Sequence, residues 1–267
     1  MKISELEEEV VDKKKAKQYT VSVDVSNAIS LLTTYCSEAL ASSIKSDKFI
    51  YKGLEYFNKP YYAIDSSKIK RQSQNTVNFY TEYVSKHSAN WKMFPRRDHC
   101  LVCSTSSYYA NNYGTLYMVF PADGTKIGIC PEQDFWESFR GYGKIKSMGS
   151  FADFMEHVMV TSKKSNMDEF LNKPISDCSF KDDWTHIKTV LSKTQYFSNV
   201  RDPIRTTVGQ ALNDKLDPLK NGFSLFEPGQ IHLIPNNKEV WFSGKCVIVQ
   251  ASTFKKEIMP AILKDTK

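Results

Sequence analysis

The stretch HCLVCSTSSYYANNYGTLYMVF, residues 99–120, decides how the chain is read. It sets Ser104-Thr105-Ser106 between two apolar runs, where every hydroxyl needs a hydrogen-bond partner or costs stability. Alternation and β-branched content predict a strand over 99–105 and a second over 115–120, with a short turn or helix over 106–113. KIGIC, 126–130, reads as another short strand, so three strands surround one tight corner bearing consecutive hydroxyls.

Working outward, the chain before this corner supplies helices and one more strand. Ala28, Ile29, Leu31, Leu32, Tyr35, Leu40 and Ala41 recur at helical spacing and predict a packed helix over 26–41, capped by Ser26 or Asn27. FIYKGL, 49–54, is a strand interrupted by a cation and followed by glycine, the composition of a strand edge that opens onto a cleft. RQSQNTVNFYTEYVSKH, from Arg71, turns from polar to helical with Asn75 or Thr76 as the cap. The first 20 residues form a charged segment, a helix or a frayed tail.

Beyond the corner, Ser150 with Asp153 resembles a capping box, and Trp184–Leu191 again has helical spacing, so about 147–215 is read as a mostly helical insertion. QIHLI, 230–234, and EVWFSGKCVIVQA, 239–251, are strand-like, with Pro235-Asn236-Asn237 as the turn of a closing hairpin before a short helix. Helices flanking a mixed sheet make the fold α+β, with all 267 residues in a single domain.

Composition excludes several functions. No window is apolar for the ~18 residues a membrane span needs, so no membrane partner is expected. The mixed-charge start MKISELEEEVVDKKKAK lacks the apolar centre of a secretory signal and predicts a reducing cytoplasm with six free thiols. Cys100 and Cys103 on one strand would point to opposite faces, and no second close pair of ligands accompanies them, so no metal is predicted. Ser104 lacks the flanking glycines of a hydrolase elbow, and no glycine-rich phosphate loop is present. The formal charge of +6 is scattered rather than striped, a mild bias toward phosphate-bearing or acidic partners.

Three short pieces remain in a fixed order: Tyr51-Lys52-Gly53 at the end of a strand, Ser104-Thr105-Ser106 after another, and Asn237-Lys238-Glu239 leading Val240-Trp241-Phe242. Together they resemble the ADP-ribosyltransferases of the arginine, serine, glutamate type, which carry strand-Tyr-Arg-Gly, strand-Ser-Thr-Ser and a Glu opening a late strand. The resemblance implies a split, strongly bent mixed or antiparallel β core with flanking helices, NAD as co-substrate, no metal, and cleavage of the nicotinamide–ribose bond with ADP-ribose passed to a protein or nucleic acid. It assigns Glu239, Ser104 and Lys52 to catalysis; Lys52, Gly53, Arg71, Ser104, Thr105, Ser106 and Tyr113 to NAD; and Asn237 to the acceptor.

Two departures qualify it. Lys52 stands where Arg is expected and gives up the bidentate planar fork, so that Lys52 suffices, Arg71 shares the task, or activity is lost. Asn237 stands where arginine-modifying members have a second Glu and some nucleobase-modifying members a Gln, and an amide is no strong base toward guanidinium, which counts against arginine as acceptor. The run from Arg71-Gln72-Ser73-Gln74-Asn75-Thr76 through Trp91, Phe94-Pro95, Cys103-Ser104-Thr105 and Tyr113-Gly114 to Cys130-Pro131 is also similar to a group of uncharacterised tailed-bacteriophage proteins, which would place the protein in a host cytoplasm. The alternatives are a non-catalytic nucleotide- or nucleic-acid-binding descendant of the fold, or a host-interaction protein.

Overall fold

The computed structural model describes residues 19–55, 57–71, 81–140, 167–172 and 207–265. The chain divides into two compact units, the larger drawn from 8–72, 94–134 and 224–267 and the smaller from 1–7, 73–93 and 135–223.

The larger unit is α+β. Its strands are β1 (Thr20–Ser22), β2 (Ile50–Leu54), β3 (Tyr61–Asp65), β4 (Leu101–Ser104), β5 (Thr115–Pro121), β6 (Ile127–Ile129), β7 (Ser224–Phe226), β8 (Glu239–Phe242) and β9 (Lys245–Gln250). They form one sheet in the order β1-β3-β9-β5-β2-β4-β8-β6-β7, with antiparallel pairing throughout. Its helices include α1 (Val25–Tyr35), α2 (Ser37–Ser46) and the short α3 (Ser107–Asn111), and helical residues 251–265 close the described chain.

Two features divide and bend this sheet. The β2–β4 ladder consists of one pair, Tyr51 with Ser104, and the register is not carried on to Lys52 and Cys103 or to Gly53 and Val102. Elsewhere β2 holds β5 by five pairs and β4 holds β8 by four. The sheet is therefore two ladders hinged at Tyr51 and Ser104. Moreover, β8 and β9 are joined by only Ser243 and Gly244, yet β5, β2 and β4 stand between them in the sheet. Three peptide steps reach about 11 Å, whereas four strand spacings would take about 19 Å, so the sheet must curl to bring β8 and β9 together. Gly244, at φ 146°, makes the turn, and buried Ser66 fixes it by donating to Gly244 O at 2.8 Å and accepting from Gly244 N at 3.0 Å.

The curl encloses a core. Leu101, Cys103, Val240 and Phe242 from one ladder pack in the same cluster as Met118, Phe120, Val247 and Val249 from the other, joined by Leu32 and Leu40 of the first two helices and Phe254 and Ile258 of the last. Alternation explains the sorting: Leu101 and Cys103 face this core, while Val102 and Ser104 face away with their partners Trp241 and Glu239.

Several sequence expectations are corrected. The helix expected over 26–41 is two helices. Asp24 rather than Ser26 or Asn27 caps the first, accepting from Asn27 N at 2.8 Å, and the break at Cys36 arises because the Asp123 carboxylate takes Ser37 Oγ at 2.7 Å and Glu38 N at 3.0 Å. QIHLI is a 3₁₀ segment (Pro228–Leu233) instead of a strand, since Pro228 starts a helical turn and Gln230 Oε1 accepts from Glu227 N at 2.9 Å. Residues 239–251 are two strands on separate ladders, so no closing hairpin forms around 235–237. Strands β1, β3 and β7 were not anticipated.

In the smaller unit, the described residues include α4 (Met167–Leu171) and α5 (Val208–Lys215), the latter capped by Thr207 with Gln210 in reciprocal bonds of 3.2 and 2.9 Å. Trp91 packs with Phe135, Phe139 and Phe223 at ring separations of 5.0–6.2 Å and donates to Leu216 O at 2.7 Å. Most of the expected 147–215 insertion, its capping box and the cap at Asn75 or Thr76 lie outside the described residues. So do the first 18 residues.

Candidate functional site

Ser104 and Glu239 are direct cross-strand partners in β4 and β8, so their side chains leave the same face of the sheet side by side. Tyr51 bridges to Ser104 from β2. The three segments picked out in the sequence thus meet at the hinge between the two ladders, across about 190 residues of chain from Tyr51 to Glu239.

The charges gather at the same place. Arg97, one of the largest buried side chains at 2 % exposure, donates from Nη1 to Glu239 Oε1 at 2.7 Å, and the Glu239 side chain is 13 % exposed. The guanidinium lies 5.1 Å from the centre of the Trp241 ring. That ring is itself fixed, by its Nε1 donating to Pro95 O at 2.9 Å and by stacking on Phe94 at 6.1 Å. Burial pulls the Arg97 pKa down, but Glu239 and the Cys100 and Cys130 thiols outweigh it and raise the pKa above the ordinary guanidinium value. Arg97 is therefore a permanent cation that orients the Glu239 carboxylate beside Ser104.

Burial raises the Cys100 thiol above its ordinary value against the opposing pull of Arg97. Arg71 N donates to Asp98 O at 2.8 Å, one residue along from Arg97, and Lys52 follows Tyr51 in β2. Lys52 also acts on Cys103, whose burial pushes it up to about 12.

Each hydroxyl of the triplet is accounted for. Ser104 Oγ accepts from Ser106 N at 3.0 Å, and no described residue takes its hydroxyl hydrogen. Thr105 Oγ1 donates to Pro235 O at 3.0 Å and accepts from Lys238 N at 2.9 Å, while Thr105 N donates to Lys238 O at 3.0 Å. It fastens the 235–238 turn, and so Glu239, to the end of β4. Ser106 Oγ caps α3 by accepting from Tyr109 N at 3.4 Å. Thr105 is thereby a supporting group, while the Ser104 and Ser106 hydroxyls each accept a backbone N–H and no described residue takes the hydrogen of either.

Gly53 has a packing reason: a β-carbon there would strike Ala110 O and the Tyr113 backbone, so only glycine lets α3 cross β2 this closely. Tyr113 meets β2 through its backbone, and the residue is 40 % exposed. Asn237, at φ 58°, is a turn residue that tolerates the left-handed region. It lines a cleft of about 310 Å³ with Asp47, Tyr51, Thr105, Ser106, Ser107 and Asn236, floored by Phe49, Ile231 and Ile234.

Compared with protein-family models, curated proteins and solved structures, the chain matches none.

Among the described residues no group of three or more His, Cys, Asp or Glu is placed to hold a metal ion, and no helix is long and apolar enough to cross a membrane. Cys100 and Cys103 occupy different surroundings: Cys103 lies in the main core, while Cys100 Sγ donates to Arg97 O at 3.2 Å.

Sequence reasoning missed Arg97 and most of the cleft wall. The signal for Arg97 was the pair Arg96-Arg97 directly ahead of an apolar strand in FPRRDHCLVC. Arg96 pairs with Asp98 through two bonds of 2.9 and 2.6 Å near the surface, leaving Arg97 to turn inward. Nothing in the local pattern distinguishes the two.

Proposed function

We propose that the protein transfers ADP-ribose from NAD to a macromolecular acceptor. The observation that carries this reading is the register of β4 against β8, which sets Ser104 opposite Glu239 beside the Tyr51 bridge. In this reading Lys52, next to Tyr51 in β2, and Arg71, whose N–H donates to Asp98 O beside Arg97, would meet the diphosphate. The α+β class of the larger unit, with its antiparallel sheet, is compatible with this reading.

In this reading Ser104 donates its hydroxyl hydrogen to the nicotinamide-side ribose. Glu239 accepts from a ribose hydroxyl and stabilises the cationic, oxocarbenium-like sugar, which is differential stabilisation of the transition state. The bond between the ribose C1′ and nicotinamide breaks, and its electron pair leaves with nicotinamide. A nucleophilic atom of the acceptor then bonds to C1′ and releases its proton to solvent. Arg97 holds Glu239 in place through its 2.7 Å bond. Lys52 and Arg71 hold the diphosphate.

The test is nicotinamide release from NAD by the wild type and by Glu239→Gln, which keeps an oxygen for Arg97 to bond. Glu239→Ala is the poorer choice, since it strands a buried guanidinium. Release by the wild type that falls at least about 100-fold in the folded variant is expected; undiminished release by Glu239→Gln removes the carboxylate from the mechanism.

A second reading is a non-catalytic binding domain. It draws on the Arg97–Glu239 pair, which serves the fold whether or not chemistry occurs, and on Lys52 in the place of arginine. NAD binding without turnover selects it.

A further inference from the structure

The cleft of about 310 Å³ is a different place from that of Ser104 and Glu239, neither of which lines it. Its walls come from the end of α2 with the start of β2, from the 105–107 corner and from the 234–237 turn. Its volume lies at the small end of ligand sites. The polar groups along it are not consumed by the fold. Among the described residues none bonds the Asp47 carboxylate, the Tyr51 and Ser107 hydroxyls or the side-chain amides of Asn236 and Asn237.

Charge decides what such a cleft takes. Lys48 turns its ammonium to the carbonyls of His232, at 2.9 Å, and Ile234, at 3.4 Å, which leaves Asp47 as the charged lining residue with no bonded partner among the described residues. Asp47 ends α2 at φ 52°, and its charge is felt at the Tyr51 phenol, whose pKa is raised first by burial and then by Asp47. An anion would be repelled by this carboxylate. A neutral ligand would cover the carboxylate and strip its water without returning a counter-charge. An ammonium group returns one, in a charge-assisted hydrogen bond. The Tyr51 ring, 6.3 Å from that of Phe49, offers an aromatic surface to the cation or to its apolar body.

We propose that this cleft binds a small organic ammonium ion, with the charged nitrogen at Asp47, the body of the ligand against Tyr51 and its polar end at the amides of Asn236 and Asn237. The site is separate from the pair Ser104 and Glu239 but is tied to it by three lining residues. Tyr51 is the bridge partner of Ser104, Thr105 follows Ser104 and bonds Pro235 O and Lys238 N, and Asn237 stands two residues ahead of Glu239. A ligand reaching from Asp47 to Asn237 therefore links the turn ahead of Glu239 to the start of β2 and steadies it. The binding itself does not depend on ADP-ribosyl transfer.

The experiment titrates the full-length, isotope-labelled protein with tyramine and, in parallel, with tyrosol and para-hydroxyphenylacetate, which carry a hydroxyl and a carboxylate at the end where tyramine has its ammonium. Nuclear magnetic resonance reads the side-chain amides of Asn236 and Asn237. Tyramine should move these signals with a dissociation constant of about 1 mM or tighter, and tyrosol should bind about tenfold or more weakly. Asp47→Asn keeps a residue that tolerates the left-handed region, and the position is exposed, so the fold is preserved and a circular dichroism spectrum checks it. This variant should weaken tyramine by about tenfold or more and leave tyrosol unchanged. Bound tyramine should also slow amide exchange at Lys238. Binding with exchange at Lys238 unchanged supports the site and overturns its hold on the turn. Equal binding of the three probes, tyramine binding that Asp47→Asn leaves intact, or amide signals that do not move under saturating tyramine overturns the proposal. Nicotinamide release is not among the readouts, so each of these results leaves the transfer reading to its own test.

Discussion

Removing either end of the Arg97–Glu239 pair should cost very different amounts, and the difference follows from burial. Arg97 is 2 % exposed and Glu239 13 %. Glu239→Ala leaves a permanent cation almost fully out of water with its 2.7 Å partner gone, an uncompensated buried charge that costs about 3–5 kcal/mol. Arg97→Met leaves the carboxylate, which already reaches solvent and can be hydrated or protonated, so its loss is nearer the about 1.5–3 kcal/mol of a charge-assisted hydrogen bond. The double variant Arg97→Met/Glu239→Ala has no stranded charge and should lose less stability than the sum of the single losses, because the two residues are in direct contact. Urea denaturation followed by far-ultraviolet circular dichroism reads this: with a slope of about 2 kcal/mol/M, Glu239→Ala lowers the midpoint of the larger unit by about 1.5–2.5 M. Additive single losses, or a Glu239→Ala midpoint equal to the wild type, would refute the buried pair as the organiser of this site.

The remaining predictions concern the parts that support it. Gly53→Ala forces α3 off β2 and should lower stability by about 1–3 kcal/mol, seen as a lower melting temperature. Thr105→Val cuts the bonds to Pro235 O and Lys238 N, costing about 1–3 kcal/mol, and should speed amide exchange at Lys238 relative to residues of β9. Burial raises the Cys36 and Cys103 thiols from the ordinary 9.0 to about 12. The folded form therefore holds protons that the unfolded chain releases above pH 9, so this contribution to stability is complete below pH 9 and declines as pH climbs from there toward 12. Urea midpoints that rose over that range would contradict the burial of the thiols.

How much of this was legible in the sequence depends on whether the signal was local. The strands at 50–54, 101–104, 115–121 and 127–129 and the helix at 107–111 follow from alternation, turn residues and the Ser106 cap, all read within a few residues. QIHLI failed because its apolar spacing fits a strand and a helical turn equally, and Pro228, three residues upstream of Ile231, decided between them. EVWFSGKCVIVQA failed for a reason no window contains: its two halves belong to ladders that meet only because the sheet curls. At the site, the meeting of Ser104 with Glu239 was anticipated from motif order. Arg97 was not, since which of two adjacent arginines turns inward is settled by the Trp241 ring and the Glu239 carboxylate, more than 140 residues away in the chain.

The central claim is that Ser104 and Glu239 act on a single ribose. Single-turnover nicotinamide release by the wild type, Ser104→Ala, Glu239→Gln and the double variant tests it most directly. If both residues serve one transition state, each single change lowers the rate by about 100-fold or more and the double change falls well short of the product of the two. A folded wild type that releases no nicotinamide, or a double variant that releases it at the wild-type rate, contradicts the account.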